Sequence, residues 1–172
     1  RDKMNSYLGG TVTYQMGATP EGIDKAKLAE WITVDENMNV TFTTDGISAY
    51  VRDLASRYDT VGKTRSFTTP TGKAATVSGG TYGWSIDEPA EIEQLKADIA
   101  GGKPVQREPI YEKRAASFDA TDWGNTYAEV DLSTQHMWYI QNGNVVLETD
   151  IVSGLPTPDR ITPEGVYDVL YK

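Results

Sequence analysis

The sequence predicts an α+β domain followed by an all-β segment whose sheet is incomplete. Helical and extended patterns alternate up to about residue 117, and only strand patterns follow residue 126. The last predicted strand, GVYDVLY, ends the sequence with no later strand to pair with it. Because a strand needs hydrogen-bond partners, we expect the 172 residues to be a piece of a longer protein. The predicted organisation is a domain over 1–117, a linker over 118–126 and a fragment of a β-domain over 127–172.

The first part of the domain contains two helix signals with a strand between them. Thr19-Pro20-Glu21 is typical of a helix start with proline at the first helical position, and it predicts a helix to about Ile32. The alternation in MNVTFT, Met38 to Thr43, predicts a half-buried strand. Asp45 is predicted to cap an amphipathic helix. The apolar face of this helix comprises Ile47, Tyr50, Val51, Leu54 and Tyr58.

The second part of the domain begins with three predicted strands. TRSFTT and KAATVSG flank the turn signal Pro70-Thr71-Gly72, and TYGWSI follows them. A helix comes next, with acidic residues in its first turn and Gly101-Gly102 as its stop signal. Its apolar stripe comprises Ile92, Leu95 and Ile99. VQREPIY returns as an extended segment and completes the α+β domain.

The segment after the linker is predicted to contain about four strands and no helix. YAEVDL leads by a short turn into HMWYIQ, and NVVLETDIV follows Asn142-Gly143. An Asn-Gly pair between two apolar runs is a strong β-hairpin signal, because both turn residues require positive φ. A loop rich in glycine and proline then leads to the last predicted strand.

The composition excludes several classes of function. The chain has no cysteine, which rules out disulfides, thiolate metal sites and a cysteine nucleophile among these residues. Its net charge of −9 disfavours nucleic acid as a partner. No apolar run approaches the roughly 18 residues of a membrane span. We predict no metal and no cofactor, and the Arg1 start suggests that upstream sequence was removed.

The residues from Tyr127 to Lys172 resemble the start of the L,D-transpeptidase catalytic domain of bacterial cell-wall enzymes. Three features carry the resemblance: VDLSTQ in the opening strand, WYIQNG in the hairpin, and VSG before TPEG. The region from Tyr58 to Asp87, especially YGWSID, is similar to the peptidoglycan-binding domain found upstream of that catalytic domain. The β-segment is therefore expected to be the first strands of the L,D-transpeptidase catalytic β-fold.

The resemblance implies a cysteine nucleophile in an S-H-G-C type motif, with an upstream histidine as the base. The cysteine would attack the carbonyl of the third residue of a peptidoglycan tetrapeptide stem and expel D-Ala. An amine of a neighbouring stem would then capture the acyl-enzyme and form a 3→3 cross-link. Neither catalytic residue occurs in this sequence, so no catalytic residue is assigned and the 172 residues are expected to be inactive. The expected partners are peptidoglycan stem peptides, and the expected location is outside the cytoplasm, at the bacterial cell wall or surface. The parent protein is expected to be membrane-anchored through residues outside this sequence.

Three groups of residues suggest chemistry but favour structural interpretations. His136, the single histidine, is predicted at an exposed strand start with no cysteine to pair with it. The carboxylates Asp87, Glu88, Glu91 and Glu93 lie where a helix begins, and there they stabilise the helix dipole. Tyr82, Trp84, Trp31 and Trp123 are predicted mainly as core residues. As the alternative interpretation, Tyr82 and Trp84, two apart on one strand face, form a substrate-binding surface.

Two other classes of function stay open at this stage. The chain could be a non-catalytic peptidoglycan-binding or spacer module, or a surface adhesin built from α+β and β units. The incomplete sheet also predicts an unpaired edge that could pair with a second molecule.

Overall fold

The structure, a computed structural model, describes residues 2–18, 20–37 and 39–170. The helices are α1 (Asp2–Gly9), α2 (Lys25–Trp31), α3 (Thr44–Tyr58) and α4 (Glu88–Gly101). The first strands are β1 (Val12–Tyr14), β2 (Glu21–Ile23), β3 (Ile32–Val34), β4 (Val40–Phe42), β5 (Arg65–Thr68) and β6 (Ala74–Val77). The later strands are β7 (Ser85–Ile86), β8 (Val105–Arg107), β9 (Tyr111–Lys113), β10 (Tyr127–Asp131), β11 (His136–Gln141) and β12 (Asn144–Asp150). The predicted fold class, α+β followed by an all-β segment, is confirmed.

Two sheets have three strands, and the other strands pair as two-stranded ribbons. The first sheet has the order β2-β1-β8, with β1 antiparallel to β2 and parallel to β8. The second has the order β10-β11-β12 and is antiparallel throughout. The ribbons are β3-β4, β5-β6 and β7-β9.

The chain forms two compact units, and both are discontinuous in sequence. Unit 1 comprises Arg1–Asp59 and Ser85–Lys113, and unit 2 comprises Thr60–Trp84 and Arg114–Lys172. The β5-β6 hairpin therefore lies in the same unit as the sheet of β10 to β12. The predicted boundaries at 117, 118–126 and 127 stay predictions.

Unit 1 has a core in which α2, α3 and α4 pack with the β1 sheet. Its fully buried side chains include Tyr14, Ile23, Leu28, Ile47, Val51, Leu54, Leu95 and Ile99. The predicted apolar faces of α3 and α4 supply most of these residues, which confirms their 3.6-residue periodicity. Of the predicted α3 face, Tyr50 and Tyr58 are only partly buried, at the edge of the core.

The predicted helix from residue 19 to 32 is wrong at its start. Residues Glu21–Ile23 form β2, which pairs with β1, and the helix begins at Lys25. Asp24 caps it by accepting a hydrogen bond from the Lys27 backbone N–H at 2.9 Å. The part of the prediction that falls on Thr19 lies outside the described residues. The sheet pairing outweighs the local proline signal, because β2 buries Ile23 against the core.

The caps of the two longer helices differ from one another. Thr43, and not the predicted Asp45, is the N-cap of α3, and Asp45 lies in its first turn. Asp87 caps α4 by accepting from the Ala90 N–H at 3.1 Å. The helix ends at Gly101, and its C-cap Gly102 has φ of 66°, as the Gly-Gly stop signal predicted. The elements α1, β1 and β3 were not predicted from the sequence.

Unit 2 contains the predicted hairpin around Asn142-Gly143. Both residues have positive φ, 51° and 78°, and they connect β11 to β12. The β5-β6 hairpin also forms as predicted, with Pro70-Thr71-Gly72 at its tip. Both turn predictions are confirmed. Each turn depends on a few adjacent residues, which is why the sequence alone could predict it.

Two predicted strands are much shorter than expected. In TYGWSI only Ser85–Ile86 is a strand, because Gly83 has φ of 144° and interrupts the extended backbone. In GVYDVLY the described residues contain a single bridge, from Val166 to Gly80, and no strand; Tyr171 lies outside the described residues. The predicted linker, 118–126, contains no helix or strand, and Asp122 within it is buried. Among the described residues, no helix is both long and apolar enough to cross a membrane.

Candidate functional site

Tyr82 and Trp84, the predicted substrate-binding residues, lie in unit 2 on an irregular segment held by side-chain hydrogen bonds. The Trp84 indole N–H donates to the Ser117 carbonyl at 2.7 Å, and its backbone N–H donates to the Thr60 hydroxyl at 2.8 Å. The Trp84 side chain is buried, with 5% of the residue exposed. The Tyr82 hydroxyl donates to the Asp122 carbonyl and accepts from the Ala116 N–H at 2.8 Å. Burial, above all, raises the pKa of Tyr82 above its ordinary value.

A third aromatic residue, Phe118, is the exposed member of this cluster. Its ring stacks on that of Trp84 with centroids 4.2 Å apart and planes 4° apart. Phe118 is 42% exposed, and the guanidinium of Arg114 lies 5.5 Å from the Trp84 ring. The structure therefore stacks on Trp84 a ring that the sequence prediction did not include. The substrate-binding role of Tyr82 and Trp84 stays a prediction.

The loop that carries Phe118 is fixed by a buried ion pair between Arg65 and Asp122. Arg65 donates to both carboxylate oxygens of Asp122, through Nε at 3.0 Å and Nη2 at 2.9 Å. The Thr60 hydroxyl donates to the same carboxylate, and the Asp122 carbonyl accepts from the backbone of Ala116 and Ser117. A bidentate pair of this kind fixes geometry as well as charge. Asp122, in the middle of the predicted linker, is thus packed into unit 2 and held there by hydrogen bonds.

Glycine at position 83 is required by this arrangement. A Cβ at residue 83 would lie 2.6 Å from the Thr60 hydroxyl and 2.7 Å from Nη2 of Arg65. Any side chain there would displace the two groups that hold Asp122. Glycine in the middle of the YGW segment is therefore explained by the lack of space for a side chain next to the ion pair, and not by a strand pattern.

Two open grooves lie between the tip of the β5-β6 hairpin and the sheet of β11 and β12. They have volumes of about 430 and 310 Å3 and share Pro70 and Val145 in their walls. The larger is also lined by Trp138, Val146 and Leu147. Among the described residues that line the two grooves there is no nucleophile paired with a base.

His136 begins β11, as predicted, but it is half-buried and not exposed. Its Nδ1 lies 2.8 Å from Oδ1 of Asp150, and its Nε2 lies 3.8 Å from Glu148. Its ring also packs on Trp138 with centroids 4.6 Å apart. These contacts tie β11 to β12 and support the structural interpretation of this histidine.

Glu129 is the most perturbed carboxyl of the described unit 2 residues. It faces Trp138 across the β10-β11 pair, and its Oε2 is buried with no hydrogen-bond partner among the described residues. Burial, and then the Asp131 charge, raises the pKa of Glu129 to about 7. Asp131 behaves oppositely, because hydrogen bonds from Ser133 and Thr134 lower its pKa to about 2.

Glu91, predicted as a helix-dipole carboxylate, is instead the centre of a buried network in unit 1. It is fully buried and accepts hydrogen bonds from Tyr14, Arg107 and the Ile110 backbone N–H. Burial and the Glu91 charge raise the pKa of Tyr14 well above its ordinary range. These contacts support a structural role for Glu91, through a buried network and not only through the helix dipole. The described residues contain no group of three or more carboxylate, histidine or thiol side chains placed to hold a metal ion.

Both ion pairs escaped the sequence analysis because their members lie far apart in sequence. Arg65 and Asp122 are 57 residues apart, and Glu91 and Arg107 are 16 apart. Asp122 lies in the run DATDWGN, which was predicted as a linker, and no local pattern in that run indicates that its side chain is buried.

Two protein families match the chain, one after the other. Residues 5–106 match the family described as "Putative peptidoglycan binding domain", and residues 125–172 match the L,D-transpeptidase catalytic domain. The comparison with curated proteins gives no match. The first family covers more than half of the chain, and the two occur in the order that the sequence resemblance predicted.

Two solved structures are similar to the chain along almost its whole length. The Cys→Ser mutant of the Enterococcus faecium L,D-transpeptidase is 35% identical, with a TM-score of 0.72. It covers 95% of this chain, which in turn covers 64% of that one. The structure described as the Ldtfm-avibactam carbamoyl enzyme is 34% identical with a TM-score of 0.70, and the shares covered are 95% and 63%. The chain thus spans just under two thirds of the length of these structures, and it belongs to the L,D-transpeptidase family.

Proposed function

We propose that the chain is part of a bacterial cell-wall enzyme that cross-links peptidoglycan stem peptides. One observation carries the proposal: both family domains occur in order, and 95% of the chain superposes on L,D-transpeptidase structures. The proposed location is therefore outside the cytoplasm, at the cell wall, where the peptidoglycan substrate lies. The proposed reaction belongs to the whole protein and not to these 172 residues alone.

The proposed reaction is acyl transfer through a cysteine thiolate. The thiolate attacks the carbonyl carbon of the third stem residue, a C–S bond forms, and the C–N bond to D-Ala breaks with proton transfer to the departing amine. An amine of a second stem then attacks the thioester and gives a proton to the histidine base; a C–N bond forms, the C–S bond breaks, and the thiolate is released. Because the chain has no cysteine, the proposal assigns the thiol and its histidine base to residues that follow Lys172.

The described residues contribute a scaffold to this scheme. The antiparallel sheet of β10 to β12 supplies the first strands of the catalytic domain, and the Arg65–Asp122 pair joins the β5-β6 hairpin to the same unit. The hairpin lies within residues 5–106, the span of the peptidoglycan-binding family. We therefore propose that part of this upstream domain supports the catalytic sheet.

The experiment compares the natural full-length protein, its cysteine variant and the 172-residue chain. Each is incubated with disaccharide-tetrapeptides, and mass spectrometry measures cross-linked dimers and released D-Ala. We expect dimers from the full-length protein, none after Cys→Ala substitution and none from the 172 residues. A full-length protein without a cysteine, or dimers that persist in the Cys→Ala variant, would overturn the proposal.

The alternative is a non-catalytic peptidoglycan-binding or spacer module of a surface protein. The match of residues 5–106 favours it as a second candidate. Sedimentation of the 172-residue chain with purified peptidoglycan tests the binding part. Binding together with an inactive full-length protein would select this alternative.

A further inference from the structure

We propose that Phe118 is a sugar-stacking platform, and that it binds an N-acetylhexosamine ring of the peptidoglycan glycan strand. The inference rests on the proposed cell-wall function, and it names a binding element that the matched families leave unassigned. Phe118 lies between residues 106 and 125, where neither family match extends.

The first argument is the exposure of a single flat ring. One face of Phe118 is covered by Trp84, so the 42% exposure of the residue belongs to its opposite face and its edge. A lone exposed aromatic ring has about the size of one pyranose ring, and it is smaller than the broad apolar patches that mark protein interfaces. The axial C–H groups of a pyranose can pack on such a face, in the same way that other positively polarised groups approach the ring quadrupole.

The second argument is that the ring is held rigidly. Its support, Trp84, is fixed by hydrogen bonds to Ser117 and Thr60. The loop is closed by backbone bonds from Ala116 and Ser117 to the Asp122 carbonyl, and Asp122 is held in turn by Arg65. An exposed apolar side chain on such a constrained loop loses little entropy when a ligand binds, which is the condition for a preorganised site.

The third argument is the polar character of the surrounding loop. Asp119, next in sequence to Phe118, is exposed, and its backbone N–H donates to the Ser117 hydroxyl at 3.2 Å. Its carboxylate, next to the aromatic ring in sequence, suits the hydroxyl and acetamido groups of an amino sugar, and its negative charge disfavours an anionic lipid surface or a purely apolar partner.

The test titrates the 172-residue chain with soluble β-1,4-linked N-acetylglucosamine tetramer. Saturation-transfer NMR and the ring resonances of Phe118 report contact, and a parallel assay measures sedimentation with purified peptidoglycan. We expect F118A and F118L to weaken tetramer binding by about tenfold, the upper end of what an aromatic stack contributes. F118Y, which keeps the flat ring, is expected to stay within about twofold of the wild type.

Y167A is the matched control, because Tyr167 is a similarly exposed aromatic of unit 2, at 47%, and makes no ring stack with any other described residue. It is expected to bind the tetramer like the wild type. If F118A does not fold, the other two variants still test the ring. F118L keeps most of the apolar volume but loses the flat ring, whereas F118Y keeps the ring. The inference is overturned if the wild type does not bind the tetramer, if folded F118L binds it unchanged, or if the Phe118 variants lose only stem-peptide binding. These results would leave the cross-linking assay of the full-length protein unaffected, so the two proposals fail separately.

Discussion

At the scale of single residues, Glu129 should make the stability of the chain depend on pH. Its pKa is about 7 in the folded state and near the ordinary 4.5 when unfolded, so the folded state binds the proton more tightly. Its contribution to stability is therefore complete below about pH 4.5 and is lost as the pH rises through 7. We expect E129Q to be more stable than the wild type at pH 8, by about 1 kcal/mol after allowance for the partial exposure of the group. The two proteins should converge near pH 4.

Asp131 provides the control of opposite sign for this experiment. Its pKa is lowered to about 2, so it stabilises the folded state above its ordinary pKa of 3.8 and loses that contribution as the pH falls towards 2. D131N should therefore be less stable than the wild type at neutral pH, and the difference should fade in acid. Urea unfolding at several pH values measures both variants. An E129Q gain that is the same at pH 4 and pH 8 would show that Glu129 does not titrate as proposed.

The Arg65–Asp122 pair is the second prediction at this scale. Removing the charge of Asp122 leaves a buried guanidinium uncompensated, which typically costs about 3–5 kcal/mol. D122N should therefore unfold at a much lower urea concentration than the wild type. E30A removes the exposed Lys27–Glu30 pair and should change stability by less than about 1 kcal/mol. If D122N and E30A behave alike, the buried pair does not fix the loop.

At the scale of secondary-structure elements, Gly143 should be essential to the β11-β12 hairpin. Its φ is 78°, and a Cβ there would contact nothing, so the cost of substitution is conformational and not steric. G143A should lose about 1–2 kcal/mol of folding stability, the penalty of a left-handed conformation for a residue with a Cβ.

Gly101 gives the matched control: it ends α4 and also has open space around it. G101A should instead stabilise the folded chain by about 0.4–1 kcal/mol, and thermal unfolding of both variants measures the difference. Equal effects would contradict this account of the turn.

The elements that could be predicted from sequence are those whose cause is local. The apolar periodicity of α3 and α4, the Asn142-Gly143 turn and the Gly102 stop each involve neighbouring residues. The start of α2 was mispredicted because pairing of Glu21–Ile23 with β1 is a tertiary effect. TYGWSI was mispredicted because the position of Gly83 is set by Thr60 and Arg65.

The candidate site follows the same rule. Trp84 and Tyr82 could be selected from an aromatic pattern within one segment. Phe118 could not, because its stack on Trp84 joins residues 34 apart and depends on the buried Asp122. The sequence analysis therefore selected Tyr82 and Trp84 and missed the exposed ring that stacks on Trp84.

At the scale of the whole molecule, the open edge of β12 should make the 172-residue chain associate. Among the described residues β12 pairs only with β11, and Val145, Val146 and Leu147 are each about half exposed. An exposed apolar edge strand is a template for pairing with a second chain, and a lysine on that edge opposes the pairing. We expect the mass measured by light scattering to rise above 18.9 kDa with concentration, and L147K to remain at that value. V152K adds the same charge just beyond the strand, at a residue that is 94% exposed, and should associate like the wild type. A wild-type chain that stays monomeric at every concentration would show that the bulge between Tyr139 and Ile140 already protects this edge.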